Sequence, residues 1–270
     1  MNPYSPKFAQ VINIFSGVMF LIALTLNGLA NLLPINGLGT GEISDTYANY
    51  FAPTGLTFSI WAVIYVLLGM YVGWRFQNIR DVADHPKNRH LFQIDIAFAI
   101  SSIANALWIL AWHYLQFYLS FLMMVLLLGS LIFINLSFKG DRSITTIPFR
   151  IYFGWITVAT VANATTMIVA DSNRFYWIWN GGEVSQQIMA TIILVVTILI
   201  GLVTLIRQKD VYFGAVIVWA LFGIYLRHTV DYPNYGIVGL ANTALLGLFL
   251  VMAAMVFVSQ KELIKFFKKS

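Results

Sequence analysis

A chain of 270 residues with 59% hydrophobic and only 10% charged side chains, at a mean hydropathy of +0.78, has too little polar surface to coat a water-soluble globule; about 25% charge is ordinary there. The composition therefore describes an integral membrane protein. The net charge of +5 is spread over loops rather than gathered in one patch, so no nucleic-acid partner is expected. Without cysteine there is no disulfide framework, no thiolate nucleophile and no cysteine-ligated metal.

A spanning helix needs about 20 mainly apolar residues. Eight stretches qualify: 8–33, 57–76, 92–114, 117–138, 148–170, 185–206, 211–226 and 236–258. The first follows only Lys7, exceeds the length of a signal-peptide core and precedes no small-residue cleavage site, so it reads as a helix. Lysines and arginines then alternate between the loops. Lys7, the group Arg75, Arg80, Lys87 and Arg89, the group Lys139, Arg142 and Arg150, the pair Arg207 and Lys209, and the tail lysines 261, 265, 268 and 269 fall on one side. Only Arg174 and Arg227 fall on the other. Cytoplasmic loops collect such residues, which predicts cytoplasmic termini and an even number of spans. The basic tail reads either as lying on anionic headgroups or as a solvated end.

The first connection holds Glu42, Asp45, Tyr47, Asn49 and Tyr50. At about 20 residues it exceeds the usual loop and has no evident element of its own, which suggests a lid. Pro53 and Gly55 punctuate its exit into the uncharged stretch 56–74. On a helical wheel Trp61, Tyr65, Leu68 and Val72 share one stripe. They either line something inside a bundle or pack against neighbouring helices. In the connection between the fifth and sixth spans, Tyr176, Trp177 and Trp179 read as interfacial anchors or as ligand contacts.

Polar residues within the apolar spans each require an explanation. Ser101, Asn105, Trp108 and Trp112 fall in a narrow sector of the third span, which should face protein. In the fifth span Trp155, Ala159, Ala162 and Thr166 form a stripe, with Asn163 beside it. Two readings stand: asparagines bonding across a helix interface, or polar contributors to a ligand cavity. Asp95 reads as an interfacial charge within reach of headgroups or basic loop residues.

Nothing here favours an enzyme. His85, His90, His113 and His228 lie in loops or at helix ends, two on each predicted side. The spacing of His85 and His90 is not a metal-ligand spacing, and no phosphate-binding glycine loop or HExxH helix appears.

The order Pro-Thr-Gly-Leu-Thr-Phe at 53–58, then Trp61, Tyr65 and Gly69, then Asn105-Ala-Leu-Trp108, then Trp155-Ile-Thr-Val-Ala-Thr-Val-Ala-Asn163 resembles the TspO/MBR family of translocator and tryptophan-rich sensory proteins. The family pattern is a Pro-Pro-Gly-Trp-Val-Phe turn into Trp-Thr-x-x-Tyr, an Asn-x-x-Trp, and a Trp-Val-Thr-Phe-Ala-Thr-x-x-Asn. The resemblance covers about residues 8–170 and implies an all-α fold whose first five helices form a TspO-like bundle around a cavity. It also implies a tetrapyrrole (porphyrin or haem), a sterol or another hydrophobic ligand, and a homodimer. Trp61, Tyr65, Asn105, Trp108, Trp155 and Asn163 would then bind ligand, with Tyr47, Tyr50, Pro53 and Gly55 in the lid.

The sequence departs from that pattern at Ala52 and Leu56, which replace a proline and a tryptophan, and at Ile109. The loop also lacks the family's tryptophan, which puts light-dependent porphyrin breakdown in doubt. The expected organisation is a five-helix domain over 1–170 and three additional helices over 171–270, in a bacterial cell membrane. The expected function is a membrane-embedded sensor or carrier for a hydrophobic ligand, with a secondary transporter as the alternative.

Overall fold

In hydrocarbon every backbone N–H and C=O must be bonded within its own segment, so long apolar stretches become helices. The computed structural model describes residues 6–33, 35–78, 89–138, 143–175, 182–231 and 237–267. Its helices are α1 (Pro6–Leu32), α2 (Thr40–Thr46), α3 (Ile60–Gln77), α4 (Arg89–His113), α5 (Phe117–Ser137), α6 (Ile147–Ala170), α7 (Gly182–Gln208), α8 (Val211–Leu226) and α9 (Val238–Phe267). Among the described residues every regular element is helical, and eight helices are long and apolar enough to cross a bilayer. The protein is an all-α integral membrane protein. The seventh span runs past its predicted end at 226 through a π turn, Arg227–Asp231.

The first connection is more ordered than its composition suggests. It carries a 3-10 turn at Ile35–Gly37, the short helix α2, and a second 3-10 turn at Gly55–Ser59. Asn36 and Gly37 take left-handed backbone at φ 58° and 81°, which asparagine and glycine tolerate best. Glu42 Oε2 then accepts the N–H of Gly39 at 2.6 Å, half of a capping box at the start of α2.

The chain folds as two compact units: Met1–Ile43 with Trp61–Ile156, and Ser44–Ile60 with Thr157–Ser270. The division runs through α6 and places 44–60 with the last three spans.

In the first unit α4 is the central helix, packed on α1 and α5. Of its apolar window 72% is buried, against 28% for α1 and 39% for α5. It closes with Leu115 at φ 56°, where the N–H of Gln116 reaches back to the carbonyl of Ala111 at 2.8 Å. That six-to-one bond satisfies a carbonyl orphaned at the helix end. In the second unit α9 packs on α7 and α8. Lys209, at φ 54°, turns the chain between α7 and α8. Asp210 then caps α8 by accepting the N–H groups of Tyr212 and Phe213 at 3.0 and 3.1 Å. A Cβ on Gly214 would come within 2.9 Å of Met255 and 3.1 Å of Leu205, so this glycine sets how closely the helices approach.

Candidate functional site

The first unit holds an aromatic cluster built from three helices. Trp61, at the start of α3, stacks on Tyr65 one turn later, with centroids 5.5 Å apart and planes at 17°. It also stacks on Trp108 of α4 at 5.5 Å and 25°. Tyr152 and Trp155 of α6 meet its edge at 5.9 and 6.2 Å. Such offset and edge-on geometries suit the ring quadrupoles. Trp108 and Trp155 are buried, while Trp61 and Tyr65 are half-buried. The buried indole N–H of Trp108 has no hydrogen-bond partner among the described residues.

Beneath these rings lies a polar hub. Asn105 is 1% exposed. Its Oδ1 accepts from Asn27 Nδ2 at 2.6 Å and from the Tyr65 hydroxyl at 3.2 Å, and its Nδ2 donates to the Tyr152 hydroxyl at 2.6 Å. Four helices therefore meet at one amide. Asn105 does pair with an asparagine across a helix interface, but its partner is Asn27 of α1 and not the fifth-span Asn163 that the sequence suggests. Ser101, Trp108 and Trp112 are buried with Asn105. Sequence reasoning passed over Asn27 and Tyr152. The signal was present in both: an amide in an apolar run, and a phenol three residues before Trp155.

Asp95 reaches one of the basic residues expected near it, but inside the protein and away from solvent. It is 1% exposed and bonded in two places to Arg75, itself 3% exposed, with Nε to Oδ1 at 3.2 Å. Asn13 Nδ2 of α1 lies 3.5 Å from the same oxygen. The reason is geometric. α3 continues to Gln77, so Arg75 belongs to a helix and its guanidinium turns inward rather than toward a loop. A charge in this setting is tolerable only when paired and hydrogen-bonded. Tyr71, Arg75 and Asn13 also line a narrow crevice.

His113, at the end of α4, is 1% exposed and fastens the first half of the connection. Its Nδ1 meets the Ile35 carbonyl at 3.0 Å and its Nε2 the Thr40 hydroxyl at 3.1 Å. The Trp112 indole donates to the Thr40 carbonyl at 3.2 Å.

The remaining expected site residues belong to the second unit. Asn163 is buried on α6, Pro53 is buried, Tyr47 and Tyr50 are half-buried, and Gly55 is exposed. Burial raises the Tyr50 phenol above its ordinary value, and the negative charge of Glu183 adds to the rise. Asn49 organises this stretch by accepting the N–H groups of Phe51 and Ala52 and the Thr165 hydroxyl. The same stretch is seated on α8: the N–H of Thr54 donates to the Gly223 carbonyl at 3.1 Å, and the Trp219 indole donates to the Thr57 carbonyl at 3.0 Å. His85, Arg80, Lys87, Lys139, Arg142, Tyr176, Trp177, Trp179, Lys268 and Lys269 lie outside the described residues.

Among known proteins, no curated protein and no solved structure matches the chain. A family model described as TSPO-like protein matches residues 12–257, beyond the 8–170 over which the sequence motifs are read and through the three additional helices. Motif order and whole-chain match agree, and the chain belongs to the TSPO-like protein family.

Proposed function

We propose that this protein is a membrane-embedded binding protein, a sensor or carrier, for a tetrapyrrole or another hydrophobic ligand. The observation that carries this reading is the aromatic cluster, in which the half-buried Trp61, stacked on Tyr65, meets the buried Trp108 and Trp155. Rings of this kind offer an apolar ring system flat faces and edges. The Trp108 N–H, which has no described partner, supplies one donor for a carbonyl, carboxylate or ring nitrogen. A ligand enters by turning Trp61 away from Trp108, while the Asn105 hub keeps the helices in place.

Within this reading residues 1–170 form the binding domain, 171–270 an additional helical part, and two copies associate. The distribution of Lys and Arg supports cytoplasmic termini, and the proposed location is a bacterial cell membrane. A secondary transporter is the second reading. It is favoured by the buried Arg75–Asp95 pair, since ionisable groups within spans mark transport pathways in many membrane proteins.

The test is quenching of tryptophan fluorescence in detergent by protoporphyrin IX and by haemin, with the wild type compared to Trp155→Phe. Saturable quenching at micromolar ligand that weakens in the variant supports the tetrapyrrole reading. Linear quenching in both refutes it.

A further inference from the structure

Part of the first connection is seated within the second unit on a buried histidine, apart from any ligand. We propose that His228 is an acid-sensitive clasp: neutral, it holds the 44–60 segment against the end of α8, and charged, it releases the tip of that segment.

The argument starts from hydrogen-bond polarity. His228 is 5% exposed and sits in the π turn that ends the seventh span; such turns are frequent at functional positions. Its Nε2 lies 2.9 Å from the carbonyl oxygen of Tyr50. A carbonyl only accepts, so Nε2 carries the proton. Its Nδ1 faces the backbone N–H of Ile237 at 3.4 Å. An N–H only donates, so Nδ1 holds a lone pair. The neutral imidazole satisfies both partners, whereas the imidazolium would set a second N–H against that of Ile237.

The surrounding charges work in the same direction. On the turn itself the neighbouring Arg227, 5% exposed, is already a buried cation. The carboxylates at hand are committed to it, Asp45 of the segment at 2.7 Å and Asp231 of the turn at 3.6 Å. Tyr50 faces His228 with its ring at 6.4 Å and its carbonyl, Glu183 of α7 acts on Tyr50, and the approach from the α9 side is the Ile237 N–H. Asp45 and Asp231 are engaged by Arg227 and Glu183 acts on the Tyr50 phenol, so a charged His228 would face the Arg227 cation and the Ile237 N–H in a buried setting, and charging it works against its seat. The anchors of 54–59, Thr54 to Gly223 and Trp219 to Thr57, carry no titratable group, whereas the tip is held by His228, by Asp45 on Arg227 and by Asn49 with Thr165. Acid should therefore loosen the tip around residues 45–52 and leave 54–59 seated.

The absence of native cysteine permits a clean test in the full chain. Ala48→Cys, exposed at the tip, and Ser59→Cys, exposed beyond the anchors, are each spin-labelled, and label mobility is read from about pH 7.5 to about pH 5.5, across the ordinary histidine range. At position 48 the mobile fraction should rise about twofold or more on acidification, with little change at position 59. His228→Gln retains a donor and an acceptor on one side chain without titrating, and should remove the rise. An unchanged label at 48, an equal change at both positions, or an acid response that survives His228→Gln would overturn the clasp. Should His228→Gln not fold, Asp45→Asn decides. A response that persists there supports His228, and one that disappears assigns the titration to Asp45 and overturns the proposal.

Discussion

Replacing Asn105 by alanine removes the acceptor shared by Asn27 and Tyr65 and the donor held by Tyr152. Three hydrogen bonds between helices are lost together. Side-chain hydrogen bonds inside a bilayer contribute about 0.6 kcal/mol each on average, so three give about 2 kcal/mol. Leaving the Tyr152 hydroxyl without this partner adds about 1 kcal/mol, for an expected loss of about 3 kcal/mol. Asn27 softens the effect, because its Nδ2 keeps a second bond, to the Ala23 carbonyl at 2.9 Å.

Two smaller perturbations calibrate the number. Tyr65→Phe removes one bond to an oxygen still engaged by Asn27 and should cost about 0.6 kcal/mol. Asn31→Ala, on an exposed part of α1, should cost about 0.5 kcal/mol or less. The assay is reversible unfolding in mixed micelles of mild detergent and sodium dodecyl sulfate, followed by helical circular dichroism. If Asn105→Ala costs no more than Asn31→Ala, four helices do not meet at that amide and the hub is refuted. A double-mutant cycle between Asn27→Ala and Tyr65→Phe should show coupling, since both bonds end on one oxygen.

Trp108→Ala and Trp155→Ala should each weaken binding of protoporphyrin IX more than Trp219→Ala, which lies on α8 and bonds to Thr57; equal affinities in parallel titrations would defeat the assignment of the aromatic cluster. Arg75→Ala leaves the buried Asp95 carboxylate unpaired and should destabilise by about 3–5 kcal/mol, whereas Arg75→Met with Asp95→Leu should recover most of the loss; thermal melts in detergent compare them, and a double variant as unstable as the single one would show that the pair is not mainly a desolvation liability. Gly223→Ala places a Cβ on Thr57 Oγ1 and should destabilise by about 1–3 kcal/mol. Thr57→Ala in the same chain should relieve part of that cost, measured by the same melts.

Much of this protein follows from one-dimensional information, because hydrocarbon leaves a chain few choices. With no water to satisfy the backbone, a long apolar run becomes a helix, and all eight spans were legible for that reason. The burial of Ser101, Asn105, Trp108 and Trp112 was legible as well, since polar and aromatic groups repeating at helical spacing must turn toward protein. The order of the Pro-Gly, Asn-x-x-Trp and Trp-to-Asn segments carried the family.

What the sequence left open was which partner each polar group takes. That depends on helix rotation and depth, which no periodicity encodes. Asn105 meets an asparagine, yet only the packing of α4 on α1 selects Asn27. Arg75 counts with the basic residues of a loop, yet it stands in the last turn of α3, and only the packing of that helix buries it against Asp95. His228 reads as a histidine at a helix end, and only the backbones of Tyr50 and Ile237, brought to it from distant parts of the chain, decide which nitrogen holds its proton. Hydrophobicity is a property of each residue and is summed along the chain. Hydrogen bonds are properties of pairs, and the pairs exist only once the helices are packed.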